Sequence, residues 1–508
     1  MCIRDSINGE HACRLRRAIR FALLMVGLVA GVACRAQTPA VPAATPAVVS
    51  APAVHTATPT ATPAVTATPH TTRPTPLAAA TPTPIYSGPL SPPCGVTLPA
   101  LLPTADTAAT ALAPAAPLDE AALRALIPEA AWPAMQRLLD APASVGLVAY
   151  QLGRESEGVF WNADTPMPLI SVAKVITLAA YAEALAVGEL NAQETVPLTE
   201  LDRFYLPNFD LGAHRRAVAE LRQEGRLISP DDNPAVTMED VAWMMMRHSS
   251  NAAADYLHLR LGQARIEATA LALGLGEPAG SPAGLSSRPA DLSSRPADLS
   301  SRHSAPCPFL GQFLLMANHS RGSANDRAAL AAYVDDPAAF GRDAALLTDA
   351  YTGQATFRAA EVAWRERNRR PSIDTQRFFA AELAPRGTAR AYAALMARLA
   401  QNGLSNADSS FQARRILEWP NQFDANQALF SNVGYKNGAL PGVLTTVYYV
   451  YRWDDPAPVV VALFYRDLPQ NTYRQWRNAL PHDELARWLL ADPAAIGALR
   501  ALGVSREQ

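Results

Sequence analysis

Apolar and polar positions follow several distinct rhythms along the chain. Leu123, Leu126 and Ile127, then Trp132, Met135 and Leu138, recur at helical spacing between Leu118 and Leu139, interrupted at Pro128 and Pro133. Val145 to Leu152 and the shorter Val159-Phe160-Trp161 are strand-forming runs on either side of a turn at Gly153 to Gly158, which predicts a hairpin. Pro168 to Leu178 is apolar on nearly every side and predicts a core helix. After a polar stretch with Pro207 and Pro234, Thr237-Met238-Glu239-Asp240 has the spacing of a capping box, and Val241, Met244 and Met245 give the helix one apolar face. That helix breaks at His248-Ser249-Ser250-Asn251, and a new one runs from Ala252 to Leu261. Phe309 to Ala317 and Thr356 to Arg367 are helical pieces of a stretch, Pro308 to Arg386, that reads as an inserted helical subdomain. Thr388 caps a helix with Tyr392, Leu395, Met396 and Leu399 on one face, stopped at Asn402-Gly403, and Ile416, Leu417 and Trp419 suggest another turn. The period then shortens: 433–439, 443–451 and 459–465 read as three strands and Thr472 to Leu490 as a closing helix. Helix, two strands, a helical middle, three strands and a final helix describe a mixed α/β (α+β) domain, a sheet flanked by helices.

Composition removes the beginning of the 508-residue chain from that domain. Thr38 to about Pro93 is Thr, Pro, Ala and Val in short repeats with almost no charge, which cannot bury enough surface to offset its ordering entropy. Proline at this density favours extended polyproline II, so about fifty residues reach on the order of 150 Å at ~3.1 Å each. The expected organisation is an export signal over 1–34, a disordered linker over 35–117, and a folded domain over 118–495 that contains a low-complexity loop and helical insertion over 276–386. The export reading rests on the basic Arg14 to Arg20 ahead of the apolar Phe21 to Ala33, a run too short for a permanent span. Its end, Gly31-Val32-Ala33-Cys34, resembles the bacterial lipoprotein cleavage box, with Gly31 where that pattern usually has Leu. The resemblance implies lipidation at Cys34, a membrane anchor and an envelope or secreted location. Within the loop, Ser-Ser-Arg-Pro-Ala-Asp-Leu recurs at Ser286 and Ser293 and restarts at Ser300, and a proline in each copy excludes a coiled coil. Lys and Arg total 44 against 46 Asp and Glu, a net charge of −2 without a long single-sign block, so no nucleic-acid partner is expected. Cys94 and Cys307 make neither a disulfide framework nor a metal site.

Lys174 is out of place in its apolar helix. Its charge would be desolvated, and in the first turn a cation opposes the positive end of the helix dipole; both effects favour the neutral amine. One turn from Ser171, such an amine is placed to take the hydroxyl proton and activate a nucleophile. In the plainer reading Ser171 is an N-cap and Lys174 snorkels to the surface. Asn251 likewise reads on its own as an N-cap between two helices. Asn437-Gly438 is a hairpin-turn signal, but a turn there would leave Pro441 inside the following strand, so Leu440-Pro441-Gly442 is the preferred turn. Neither G-x-S-x-G nor H-E-x-x-H occurs.

Taken in order, Ser171-Val172-Ala173-Lys174, Ser249-Ser250-Asn251 and Lys436-Asn437-Gly438 resemble the S-x-x-K, S-D-N and K-T-G trio of the class A β-lactamase and penicillin-binding D,D-peptidase superfamily. The resemblance covers roughly Leu118 to Leu490, excluding the insertion. It implies an antiparallel sheet flanked by helices with an all-helical subdomain, and an acyl-enzyme mechanism that needs no metal or other cofactor. It also implies that Ser171 is the nucleophile, Lys174 its proton acceptor and Ser249 a relay to the leaving nitrogen. Asn251 would bind the substrate's side-chain amide, and Lys436 would supply positive potential near a carboxylate, with Asn437 and Gly438 in the same substrate-binding element. The backbone N–H groups of Ser171 and Ala439 would form the oxyanion hole. Asn437 departs from the family's usual Thr or Ser, and Ser250 from its usual Asp. The glutamate with which class A enzymes activate the deacylating water has no counterpart: Glu277 follows the preceding helix too closely, and Asp374 and Glu382 lie outside the family's pattern. The expected function is therefore that of a monomeric serine hydrolase acylated at Ser171 by a small β-lactam or related amide and releasing the product by hydrolysis, with slow turnover. The alternatives are a D,D-peptidase or esterase acting on cell-wall peptide or ester, and a non-catalytic binding protein on the same fold. An intact Ser171 and Lys174 argue against the last.

Overall fold

The computed structural model describes residues 120–207, 209–228, 233–275, 308–317, 326–367 and 371–504. The expected signal with Cys34, the linker, Cys94, Glu277, the repeat and Cys307 lie outside the described residues. Five strands form one antiparallel sheet in the order β2 (Val159–Trp161), β1 (Val145–Gln151), β9 (Val459–Tyr465), β8 (Val443–Arg452) and β7 (Phe430–Leu440). The early hairpin thus completes a sheet made by the last three strands, with Val145 opposite Tyr465 and Gln151 opposite Val459. β1 and β9 are apolar along nearly their whole length because both of their faces are covered. Two short pairs stand apart: β3 (Met167–Pro168) with β6 (Arg386–Gly387), and β4 (Thr195–Pro197) with β5 (Ala235–Thr237).

Before Ser171 the helices are α1 (Glu120–Leu126) and α2 (Trp132–Asp140). Next come α3 (Lys174–Ala186), α4 (Leu198–Asp202), α5 (Ala213–Gln223), α6 (Met238–Arg247), α7 (Asn251–Leu261) and α8 (Gln263–Ala272). The helical middle holds α9 (Phe309–Ala317), α10 (Asp326–Ala331), α11 (Pro337–Gly353), α12 (Ala355–Arg367) and α13 (Ile373–Glu382). α14 (Ala389–Ala400), α15 (Ala407–Leu417) and α16 (Asp424–Gln427) lead to β7, and α17 (Gln470–Ala479), α18 (Pro481–Ala491) and α19 (Ala495–Val504) close the described chain. α3 is buried on nearly every side, against α15, α6, α7 and α8. α14 lies on one face of β1, β8 and β9, while α18 packs on β8, β9 and α2.

Local signals account for the helix ends. Thr237 Oγ1 accepts the Asp240 N–H at 3.0 Å while the Asp240 carboxylate accepts the Thr237 N–H at 3.0 Å, the reciprocal pair of the capping box. Thr388 caps α14 by accepting the Ala391 N–H at 3.1 Å. The β7–β8 turn falls at Leu440 to Gly442, where Gly442 has φ 91°, and Asn437-Gly438 lies inside β7. Elsewhere the structure differs from the sequence-based expectation. The polar stretch before Thr237 holds α4 and α5, the second of which buries Ala213, Ala217 and Leu221 at helical spacing. The single closing helix is two, divided where Leu480 takes a left-handed φ of 54° ahead of Pro481. Pro133 sits in the first turn of α2, where its missing N–H costs nothing, and does not interrupt the helix.

The helical middle builds a small core of its own from Leu315, Leu330, Tyr333, Phe340 and Phe379, and this core continues onto Ile170 and Leu440. On another side Arg203 donates from Nε and a terminal nitrogen to the Thr352 carbonyl at 3.1 and 2.9 Å, and the Tyr351 hydroxyl donates to the Tyr205 carbonyl at 2.8 Å. These contacts bring the helical middle against the residue before Ser171, the end of β7 and the segment of Arg203 and Tyr205. No described helix is long and apolar enough to cross a membrane.

Candidate active site

Ser171 lies in a 3-10 turn, Ile170–Ala173, that runs directly into α3 at Lys174. The turn begins from a strained residue: Ile170 has φ 51°, a region that β-branched side chains avoid. It is held from the sheet side by Thr445 Oγ1, which donates to the Leu169 carbonyl at 3.0 Å. β7 comes in so close that a Cβ on Gly438 would stand 2.6 Å from the Leu169 carbonyl oxygen and 2.8 Å from the Ser171 nitrogen. Only glycine fits there, and that contact sets the half-exposed Ala439 beside the half-exposed Ser171.

Lys174 is fully buried and does not snorkel. Its Nζ donates to the Ser249 carbonyl at 2.7 Å, to Asn251 Oδ1 at 2.7 Å and to Ser249 Oγ at 3.2 Å. Among the described hydrogen bonds none joins Lys174 to Ser171. Ser249 can face the lysine because it takes a left-handed φ of 61° between the end of α6 and the start of α7. Ser250, and not Asn251, is the N-cap of α7, accepting the Ala253 N–H at 3.2 Å; this leaves the Asn251 side chain to the lysine. From β7, Lys436 Nζ reaches the same Ser249 Oγ at 3.1 Å and the Asn437 carbonyl at 2.8 Å. Two desolvated lysines therefore meet at one hydroxyl.

Burial lowers the Lys174 amine from its ordinary value to about 7, against the partial opposition of the Asp255 and Asp210 charges. Lys436 is held well below its ordinary value, first by burial and then by the charge of Lys174. Two cations in one desolvated site are unfavourable, and the Ser249 hydroxyl links the two amines by hydrogen bonds. A carboxylate arriving beside Lys436 would restore its charge.

Two further residues, invisible to motif reading, complete the site. Asp255, one turn along α7 from Asn251, is buried and accepts the Phe309 and Leu310 N–H groups at 2.7 Å each, tying α9 to α7. Burial pushes its carboxyl up to about 7 despite those bonds and the Lys174 charge. The Phe309 ring in turn lies 4.6 Å from Lys174 Nζ, with the amine over its face. An aspartate inside an otherwise apolar helical turn was a legible signal for the first; nothing local marks Phe309.

The three sequence motifs thus meet at Ser249, on a 3-10 turn, a helix break and an edge strand. Residues 131–282 match the Beta-lactamase enzyme family. The resemblance to the β-lactamase family holds over this span. The matched span contains Ser171, Lys174 and Ser249 to Asn251, while Lys436 to Gly438 lie beyond it. Among solved structures, a β-lactamase from Chitinophaga pinensis is similar at 13% identity, covering 70% of this chain and 99% of that one with a TM-score of 0.39. A β-lactamase from Sphaerobacter thermophilus is similar at 14% identity, covering 74% and 98% with a TM-score of 0.38. A PBP-A mutant solved as an acyl-enzyme complex with penicillin G is similar at 14% identity, covering 70% and 95% with a TM-score of 0.36. Likeness this distant carries no statement about chemistry. A comparison with curated proteins found no match.

Of the carboxylates weighed as a β-lactamase deacylating base, Asp374 is exposed on α13 and ion-paired with Arg327 at 3.0 Å. Glu382 lies at the end of the same helix, where its charge acts on Arg386. Among the described hydrogen bonds neither reaches Ser249, Lys174 or Asn251.

Proposed function

We propose that the protein is a serine hydrolase acylated at Ser171 by β-lactams or related amides, through an acyl-enzyme that breaks down slowly. The observation that carries the reading is Ser249 Oγ held between Lys174 and Lys436, with Lys436 on the strand that only a glycine lets approach Ser171. In the acylation step Lys174, largely neutral above about pH 7, accepts the Ser171 proton as the hydroxyl attacks the carbonyl carbon. The Ser171 and Ala439 N–H groups receive the developing oxyanion. The proton then passes through Ser249 to the leaving nitrogen as the C–N bond breaks, which leaves Ser171 as an ester. Asn251 and Lys436 take the substrate's amide and carboxylate.

Hydrolysis of that ester needs a base to orient water, and a positioned base typically contributes ~10²- to 10⁴-fold. Here a hydrocarbon ring covers a face of Lys174, while Asp374 and Glu382 are engaged elsewhere. These facts support a persistent adduct, the behaviour of a penicillin-binding D,D-peptidase. Following a chromogenic cephalosporin decides it: a single burst with one adduct per chain, absent in Ser171→Ala, is expected. Sustained rapid hydrolysis would make the enzyme an efficient β-lactamase. Export with lipidation at Cys34 belongs to the same reading; a mature chain that begins at Cys34 and partitions with membranes is its test.

A further inference from the structure

Ser250 stands between the two residues that hold Lys174, yet its own side chain faces away from the lysines. Its hydroxyl is fully buried and lies 3.1 Å from His214 Nδ1, while it accepts the Ala253 N–H at 3.2 Å. His214, on the first turn of α5, is itself buried, and its Nε2 lies 3.1 Å from Asp202 Oδ1 at the end of α4. Asp202 is the exposed end of this line, with its side chain 61% accessible. The other groups about the imidazole are Tyr205, stacked on it at 5.2 Å with Arg215 over Tyr205, and Asp210, which accepts the His214 main-chain N–H at 2.7 Å. Asp210 is also one of the two carboxylates whose charge acts on Lys174.

The hydrogens on this line are fixed by elimination. A carboxylate only accepts, so the proton of His214 belongs on Nε2, toward Asp202. Nδ1 is then a bare acceptor, and the Ser250 hydroxyl, already accepting from Ala253, donates to it. Every polar atom on the line is satisfied in that one arrangement. With a proton on Nδ1 instead, Ser250 Oγ would face two N–H donors and its own hydrogen would have no acceptor among the described contacts.

We propose that His214 is a positioning residue for acylation: as the Nε2-protonated neutral imidazole it anchors Ser250, and so fixes the turn that presents Ser249 and Asn251 to Lys174. This rests on the reading of Ser171 as the acylated nucleophile. The turn needs an anchor because Ser249 is held in a left-handed conformation that a free chain would leave. Asp202 sets the tautomer, and α5 supplies the rigid mount.

Two measurements on the full chain test it. In 15N-histidine-labelled protein at neutral pH, the His214 signal, assigned by its loss in His214→Gln, should show protonated Nε2 and bare Nδ1; the opposite tautomer or an imidazolium overturns the proposal. The acylation rate constant with a chromogenic cephalosporin should fall about ten- to a hundredfold in His214→Leu, which keeps bulk but leaves a buried hydroxyl unpaired. His214→Gln, able to accept from Ser250 and donate toward Asp202, should recover most of that loss. The cost of His214→Leu should shrink to less than about threefold when Ser250 is already Ala. Equal losses in the Gln and Leu variants, or an undiminished cost in the Ser250→Ala background, would show that His214 only fills space and overturns the role. Acylation of wild type with His214→Leu unaffected overturns this role alone, whereas a wild type that never acylates overturns the parent reading as well.

Discussion

Neighbouring residues of β7 enter two buried polar clusters of opposite character. Lys436 meets Ser249 and a second lysine in a site bordered by the half-exposed Ser171, Asn251 and Asn437. Tyr435, beside it in sequence, turns to the α18 side, where its hydroxyl and those of Thr446 and Tyr448 donate to Asp483 Oδ1 at 3.4, 3.0 and 3.0 Å. Asp483 lies in the first turn of α18, where the helix end favours a negative charge, and His482 Nε2 is 3.5 Å from its other oxygen. In this second cluster three hydroxyls converge on one carboxylate oxygen. In the first, two desolvated amines share one hydroxyl, and burial holds both below their ordinary values. Burial alone therefore does not mark a candidate site; two desolvated amines near the half-exposed Ser171 do.

The contrast is sharpened most by Lys174→Met. Acylation should fall by ~10²- to 10⁴-fold, as expected for loss of a positioned base. Stability should rise. The folded lysine titrates near 7 against an ordinary value of 10.5, so the fold loses stability as pH falls from about 10.5 to about 7 and bears the full penalty below. Thermal melting of Lys174→Met should accordingly exceed wild type most clearly at and below neutral pH. Asp483→Ala should show the reverse pattern: about 1–3 kcal/mol of lost stability from three orphaned hydroxyls, read by denaturant midpoint, with an unchanged acylation rate per folded molecule. A large acylation defect in that variant would break the comparison. The smallest effect is a shift of pH. Wild-type acylation should rise with pH through about 7 as Lys174 loses its proton and then level off. In Asp255→Asn the supporting negative charge is gone, so the same limb should move to lower pH; a shift upward would remove Asp255 from the account of Lys174.

Much of this arrangement was legible because its causes are local. The apolar runs of β1 and β9, the Thr237 box, the Thr388 cap and the Pro441-Gly442 turn each act within a few residues. The placement of Ser171, Lys174, Ser249, Asn251 and Lys436 followed from motif order. What escaped depends on residues far apart in sequence. Nothing near Phe309 indicates that its ring will rest against Lys174, and nothing local to His214 indicates that its ring will lie between Ser250 and Asp202. The left-handed Ser249 and Ile170 are imposed by packing, since neither residue type favours that conformation.

The strand order also sets a timetable. β1 takes its place between β2 and β9, and Gln151 waits for Val459, about 300 residues later. At ~5–20 residues per second of synthesis that interval is roughly 15–60 s. Throughout it β1 has one long apolar edge with no neighbour, the kind of surface that invites pairing with another chain. Ser171 and Lys174 leave the ribosome early, but the strand that carries Lys436 comes near the end. A chain halted before Val459 should bind no penicillin at all, because β1 and the strand that carries Lys436 join one sheet only through β8 and β9.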